Sequence, residues 1–207
     1  MPDRISRRSF TMLGAGLAIG AAASEASADD TKAEAVAKPV EGAFERDYPA
    51  PGFKPSWKKP QINRVLVQDF VVYAHSELDM ARKLLDKEPA LLNATIDWGG
   101  GDWESGLGGA SHMGRRDIVA FLLDRGARID MFCAAMMGQI DAVRSFLTLQ
   151  PHLIDAKGPH GFSLHFHAQV GGKEAENVLD YLQSIKKVEL KPNPFLKKPS
   201  DPSRPAK

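Results

Sequence analysis

Between residues 116 and 123 the chain reads RDIVAFLL, and its apolar positions recur with a helical rhythm. Ile118, Val119, Leu122 and Leu123 fall at i, i+1, i+4 and i+5 and form one stripe, with Arg115, Arg116, Asp117 and Asp124 off it. The pattern predicts an amphipathic helix entered through a turn at Gly114 and closed by Gly126, whose place after the last turn suits positive φ. Arg115 and Arg116 are then expected at a solvated helix start. On either side the rhythm is lost. Residues 29–60 contain Pro39, Pro49, Pro51, Pro55 and Pro60 without periodicity and predict an extended linker. Phe44, Tyr48, Phe53 and Trp57 are unusual in such a tract and suggest that it docks on the folded body. Residues 186–207 are rich in Pro and Lys and read as a solvated basic tail. The folded region is expected at 61–185.

Within that region the helical pattern occurs more than once. GASHMGRRDIVAFLLDRGARID aligns over CAAMMGQIDAVRSFLTLQPHLID, with Gly114 over Gly138, Val119 over Val143 and Leu123 over Leu147. AHSELDMARKLLDKEPALLNA is an upstream copy with Ser76 in the glycine position, and FHAQVGGKEAENVLDYLQ is a looser one with Gly171 there. The markers at 76, 114, 138 and 171 are spaced 38, 24 and 33 residues apart. Periods in this range mean stacked repeats, because one helix pair cannot bury both its faces and its neighbours must supply the rest of the core.

These residues resemble the ankyrin repeat. GRRDIVAFLLDRGARID matches the outer half of that family's unit, and GFSLHFHA (161–168) approximates its opening, with Ser163-Leu164-His165 lacking the usual proline. The second opening, Ser105-Gly106-Leu107-Gly108, has no His, and the 24-residue interval is too short for a hairpin finger between the second and third units. The resemblance implies an all-α solenoid of about four repeats that binds a protein partner through its concave face and loop tips. Placing the family's concave row on the glycine positions selects His75, His112, Met113, Met136, Met137, Gln169 and Val170, with Trp98 and Trp103 on an adjacent loop. An apolar row left open to water marks an interaction site. The competing expectation is that this row is internal core.

The N-terminus changes where such a module would act. Ser6-Arg7-Arg8-Ser9-Phe10, a short apolar run from Met12 and the Ala26-Ser27-Ala28 site resemble a twin-arginine export signal cleaved after Ala28, which would make residues 1–28 a signal and the protein periplasmic. The apolar run is too short to span a bilayer of ~30 Å, so no membrane span is expected after cleavage. Retention as an anchor is the alternative. A net charge of +1 lacks the basic excess of a nucleic-acid binder. Cys133 is the sole cysteine, which excludes an internal disulfide and a cysteine-based zinc site, and it reads as a small buried hydrophobe.

Candidate chemistry is sparse at this level. The six histidines are His75, His112, His152, His160, His165 and His167, and they show none of the spacings of a zinc site, so no metal or other cofactor is expected. His165 holds the family's His position and is expected to tie its helix to a neighbouring loop. IDWGGGDWES (96–105) has glycines for a tight turn and two tryptophans that either anchor a partner or pack inward, with Asp102 a candidate cap for the next helix. Its triple glycine lacks the Lys-Ser/Thr of a P-loop, and no serine sits in a nucleophile elbow. The expectation is a binding module rather than an enzyme, with a metal- or cofactor-dependent periplasmic enzyme, or its assembly factor, as the alternative.

Overall fold

A computed structural model describes residues 41–56, 58–193 and 195. Arg7, Arg8 and Ala28 of the expected signal therefore lie outside the described residues, as do Trp57 and residues 196–207 of the tail. The chain divides into two units, 1–54 and 55–207. The described part of the first, residues 41–54, contains no helix or strand, and its Phe44, Tyr48 and Phe53 are exposed.

The second unit is mostly helical. Its helices are α1 (Arg64–Ala74), α2 (Leu78–Lys87), α3 (Gly106–His112), α4 (Arg116–Asp124), α5 (Met131–Met136), α6 (Ile140–Leu149), α7 (Leu164–Val170) and α8 (Glu176–Ile185). Consecutive helices pack as pairs, and the first member of each pair packs on the first member of the next, so that α1, α3, α5 and α7 form a row. The helix anticipated around RDIVAFLL is α4, whose Ile118, Val119 and Leu122 are fully buried. Gly114 and Gly138 have φ of +69° and +76°, which supplies the left-handed turn between the helices of the second and third pairs. Short polar side chains start each helix of the row: Asn63 accepts from the Val65 amide, Ser105 from Gly108, Asp130 from Cys133 and Ser163 from Phe166. The cap of α3 is thus Ser105, not Asp102 as anticipated.

Two apolar clusters fill the unit. One gathers Phe70, Leu107, Ile118 and Leu122 with Met136, and the other joins Val143, Leu164, Val178 and Leu182. Between the first and second pairs the chain adds a hairpin of β1 (Thr95–Asp97) and β2 (Trp103–Ser105), antiparallel, with Ile96 opposite Glu104. Gly99, Gly100 and Gly101 all have positive φ at its tip, and the Asp97 carboxylate accepts from the Gly99 and Gly101 amides. The paired arginines differ from expectation. Arg115 bonds Asp117, but Arg116 donates to the Met136 carbonyl (2.8 Å) and the Gly171 carbonyl (3.0 Å), tying the second pair to the third and fourth.

Candidate metal centre

Alternation along a strand sends neighbouring side chains to opposite faces. In β2 this leaves Trp103 60% exposed and turns Glu104 inward, where its side chain is wholly buried. A carboxylate in that position needs compensation, because burying an unpaired charge is costly. The compensation arrives from three directions. His75 follows the last residue of α1, His112 ends α3, and His160 sits far along the chain in the loop before α7.

α1 and α3 approach closely because α3 lacks side chains on the contact face. A Cβ on Gly106 would stand 2.7 Å from the Phe70 ring, and one on Gly109 would stand 2.7 Å from the His75 ring. Glycine weakens a helix by roughly 0.5–1 kcal/mol per residue, so these positions trade helix stability for proximity. The result is that the His75 and His112 rings meet edge to face with centroids 4.8 Å apart.

His160 is delivered differently. It adopts φ +56°, unusual for a residue with a side chain, between Pro159 and Gly161. Asp102 holds it there: one carboxylate oxygen accepts from the His160 amide (2.9 Å) and the other pairs with Nδ1 of the ring (2.9 Å). Asp102 thus belongs to this site.

Around Glu104, Oε2 lies 3.5 Å from His75 Nε2 and 3.4 Å from His160 Nε2, and Oε1 lies 3.2 Å from His112 Nδ1. One ligand atom from each of the four residues lies within 4.8 Å of all the others. The hydrogen-bond pattern determines what these atoms present. His75 Nδ1 faces the Val71 carbonyl at 2.7 Å, and a carbonyl only accepts, so Nδ1 carries the hydrogen. His160 Nδ1 donates to Asp102 in the same way. In the neutral imidazoles, Nε2 of both rings then aims a lone pair at a carboxylate. Glu104 Oε1 and His112 Nδ1 are buried and face each other at 3.2 Å, in a geometry short of a well-formed hydrogen bond. Such groups cost about 1–3 kcal/mol each when left unmatched. A cation between them satisfies all four.

The protonation states point the same way. Burial pushes the His75 ring down from its ordinary value, outweighing the Val71 carbonyl and the Glu104 charge, and so keeps it neutral. Burial pushes the Glu104 carboxyl up, but its polar contact with the His112 ring, the adjoining His75 ring and the Trp98 indole together hold it below the usual carboxylate range. Trp98 Nε1 donates to Oε2 at 2.7 Å. An ionised Glu104 and a neutral His75 are each in the form that ligates a metal.

Donors at about 2.0–2.1 Å from a tetrahedral zinc stand ~3.3 Å apart, close to the contacts around Glu104. Imidazole suits zinc, copper, iron and nickel, and a carboxylate extends the range toward manganese. Side-chain exposure rises from 0% at Glu104 and 3% at His112 to 22% at His75 and 35% at His160, so the centre is closed at its base and open at its rim. Three of the six histidines thus converge with an acid that their spacing in the sequence never brought near them.

The anticipated partner row fares differently. His112, Met136 and Val170 are buried, while His75, Met113, Met137 and Gln169 are partly so. Three of the seven are thus buried, and His75 and His112 are metal-ligand candidates. Trp98 is 37% exposed and spends its indole N–H on Glu104. Of the other histidines, His165 donates to the Lys186 carbonyl and His167 to the Ser163 carbonyl, while His152 is exposed. Burial pushes the Cys133 thiol up to about 11 and leaves it inert. Glu104 and His160 carried no signal of their own in the sequence. The one clue was WES, where strand alternation with Trp103 outward forces Glu104 inward. Compared with protein-family models, curated proteins and solved structures, the chain matches none.

Proposed function

We propose that this chain is an exported metal-binding protein, an ankyrin-type array of helix pairs that holds one divalent first-row transition ion between His75, Glu104, His112 and His160. The observation that carries this reading is the convergence of three imidazoles on one buried carboxylate, with one ligand atom of each residue within 4.8 Å of the others. The outer hydrogen bonds support it. Metal-bound histidines characteristically donate their second ring nitrogen to a carboxylate or carbonyl, as His160 does to Asp102 and His75 to Val71. The ankyrin-type reading rests on the paired helices, the glycine turns and the row of capped first helices. The export reading rests on Arg7-Arg8 and the Ala28 site. The two readings fit together, because the twin-arginine route carries folded proteins and so permits loading with metal before export.

The test is metal stoichiometry and affinity. The full chain, stripped of metal, should take up one equivalent of Zn(II) in competition with a chromophoric chelator. Glu104→Gln and His112→Ala should each weaken binding by about a hundredfold or more, and Asp102→Asn by about ten- to a hundredfold through misorientation of His160. Uptake that is absent, or undiminished in His112→Ala, overturns the proposal.

One observation favours a protein partner as a second role: Trp103, at 60% exposure on the hairpin, is a large aromatic left mostly open to water. Loss of a co-purifying partner in Trp103→Ala, with metal retained, would establish that role.

A further inference from the structure

Beside the centre, between α7, the loop 157–163 and the segment 188–192 that follows α8, lies a cavity of about 530 Å³. The segment that bounds it is pinned in place. Gln183 and Val188 exchange two hydrogen bonds (3.0 and 2.9 Å), and the Gln169 amide donates to the Lys191 carbonyl (2.8 Å). The cavity is thus preformed, and its size is that of a small-molecule site.

Its lining has a definite chemistry. Phe162 and Phe166 stack with centroids 4.2 Å apart and planes 12° apart, so the pair offers the cavity apolar ring edges and an outer ring face. Leu190 of the pinned segment adds aliphatic surface. Lys157 and Lys191 are in the lining, against Glu189 as the one acid there. The cavity also adjoins the proposed centre, because His160 belongs to both. Phe162 extends the connection, its ring lying 5.2 Å from that of His112. Glu104 and Asp102 balance the charge of a divalent ion, so the two lysines over Glu189 leave the cavity with a positive excess.

Resting on the metal reading, we infer that this cavity binds a planar aromatic carboxylate of one or two rings. The ring system lies along the Phe162–Phe166 pair, and the carboxylate is drawn to the lysines and the metal at the open rim by His160. A flat hydrophobic body satisfies the stacked pair, and an anion satisfies the charge.

The test loads the full chain with one equivalent of Co(II), whose visible bands report the coordination shell. Sodium 2-naphthoate and acetate are then titrated in separately at fixed pH. Both should change the bands saturably, with naphthoate binding about tenfold more tightly or better. Phe166→Ala should weaken naphthoate by about tenfold and shift the acetate constant by less than about twofold. Leu190→Trp, at a position 40% exposed, should fill the cavity and cause the same selective loss, which covers the case in which Phe166→Ala does not fold. A cobalt spectrum that forms but does not respond to naphthoate overturns the ligand inference and leaves the metal reading standing. No cobalt spectrum at one equivalent overturns both. Equal losses of naphthoate and acetate overturn the role of the aromatic pair.

Discussion

The contact between α1 and α3 and the contact between α5 and α7 occupy equivalent places in the row of helices, yet they are filled with opposite chemistry. At the first, the residues near the turn are His75 and His112, and they face a buried Glu104. At the second, the same stretch holds the buried Met136 and Val170, with Arg116 donating to the Met136 and Gly171 carbonyls, and the backbones nearly touch. A Cβ on Gly171 would lie 2.1 Å from the Met136 carbonyl oxygen. The difference follows from the connections. The 38-residue interval before α3 carries a hairpin that brings an acid to the helix ends, whereas the 33-residue interval before α7 carries only short turns and sends its His160 to the first contact. A repeat supplies equivalent slots, and the loops decide whether a slot becomes core or site.

Exchanging the two chemistries is the strongest test of this contrast. Met136→Glu places a charge in a slot without histidines and should cost about 3–5 kcal/mol in a denaturant melt, or prevent folding. Glu104→Met makes the first slot resemble the second. It should abolish metal uptake while the metal-free protein melts at or above the wild-type temperature, because replacing a buried charge by a well-packed apolar side chain is often neutral or stabilising. A large loss of metal-free stability in Glu104→Met would show that the carboxylate supports the fold rather than the ion.

The histidines sharpen the contrast at intermediate magnitude. His167 on α7 is buried without an acid, and burial pushes its ring down to about 4. Between pH 6.5 and about 4 the unfolded chain binds a proton at this residue that the folded chain does not. Stability should therefore fall as the pH drops through that window, by up to about 3 kcal/mol, and level off below it. Metal-free His167→Phe should show a shallower slope there, by about one proton, in melts taken across the range. Identical slopes would mean that His167 is not held neutral by the fold.

The smallest expected effect on stability is at Gly109. Alanine there pushes on the His75 ring, and overpacking costs about 1–3 kcal/mol. About 1 kcal/mol returns from the better helix propensity of alanine. The melting temperature should move little while zinc affinity falls about tenfold, since the ring that yields is a ligand. Unchanged affinity would mean that the ring has room to yield without leaving the ion.

Legibility in the sequence divides along the same line. The stripe of α4, its glycine turn and the succession of helix pairs were readable, because helical periodicity and turn residues act within a few positions. Arg116 was misread as solvated because its acceptors, the carbonyls of Met136 and Gly171, come from later units. Asp102 was misread as a helix cap because its partner, His160, lies 58 residues away. The convergence of His75, Glu104, His112 and His160 was missed for the same reason, since the four come from a helix end, a strand, another helix end and a loop with positive φ.

By itself, then, the sequence determined the amphipathic stripe of α4, the succession of helix pairs and the glycine turns at Gly114 and Gly138, since each depends on local backbone energetics and on which residues avoid water. Only the tertiary structure decided that Glu104 points inward and that His75, His112 and His160 surround it. Convergence of that kind depends on how whole units stack and on which loop reaches which helix end, and neither is encoded in the spacing of the residues that meet.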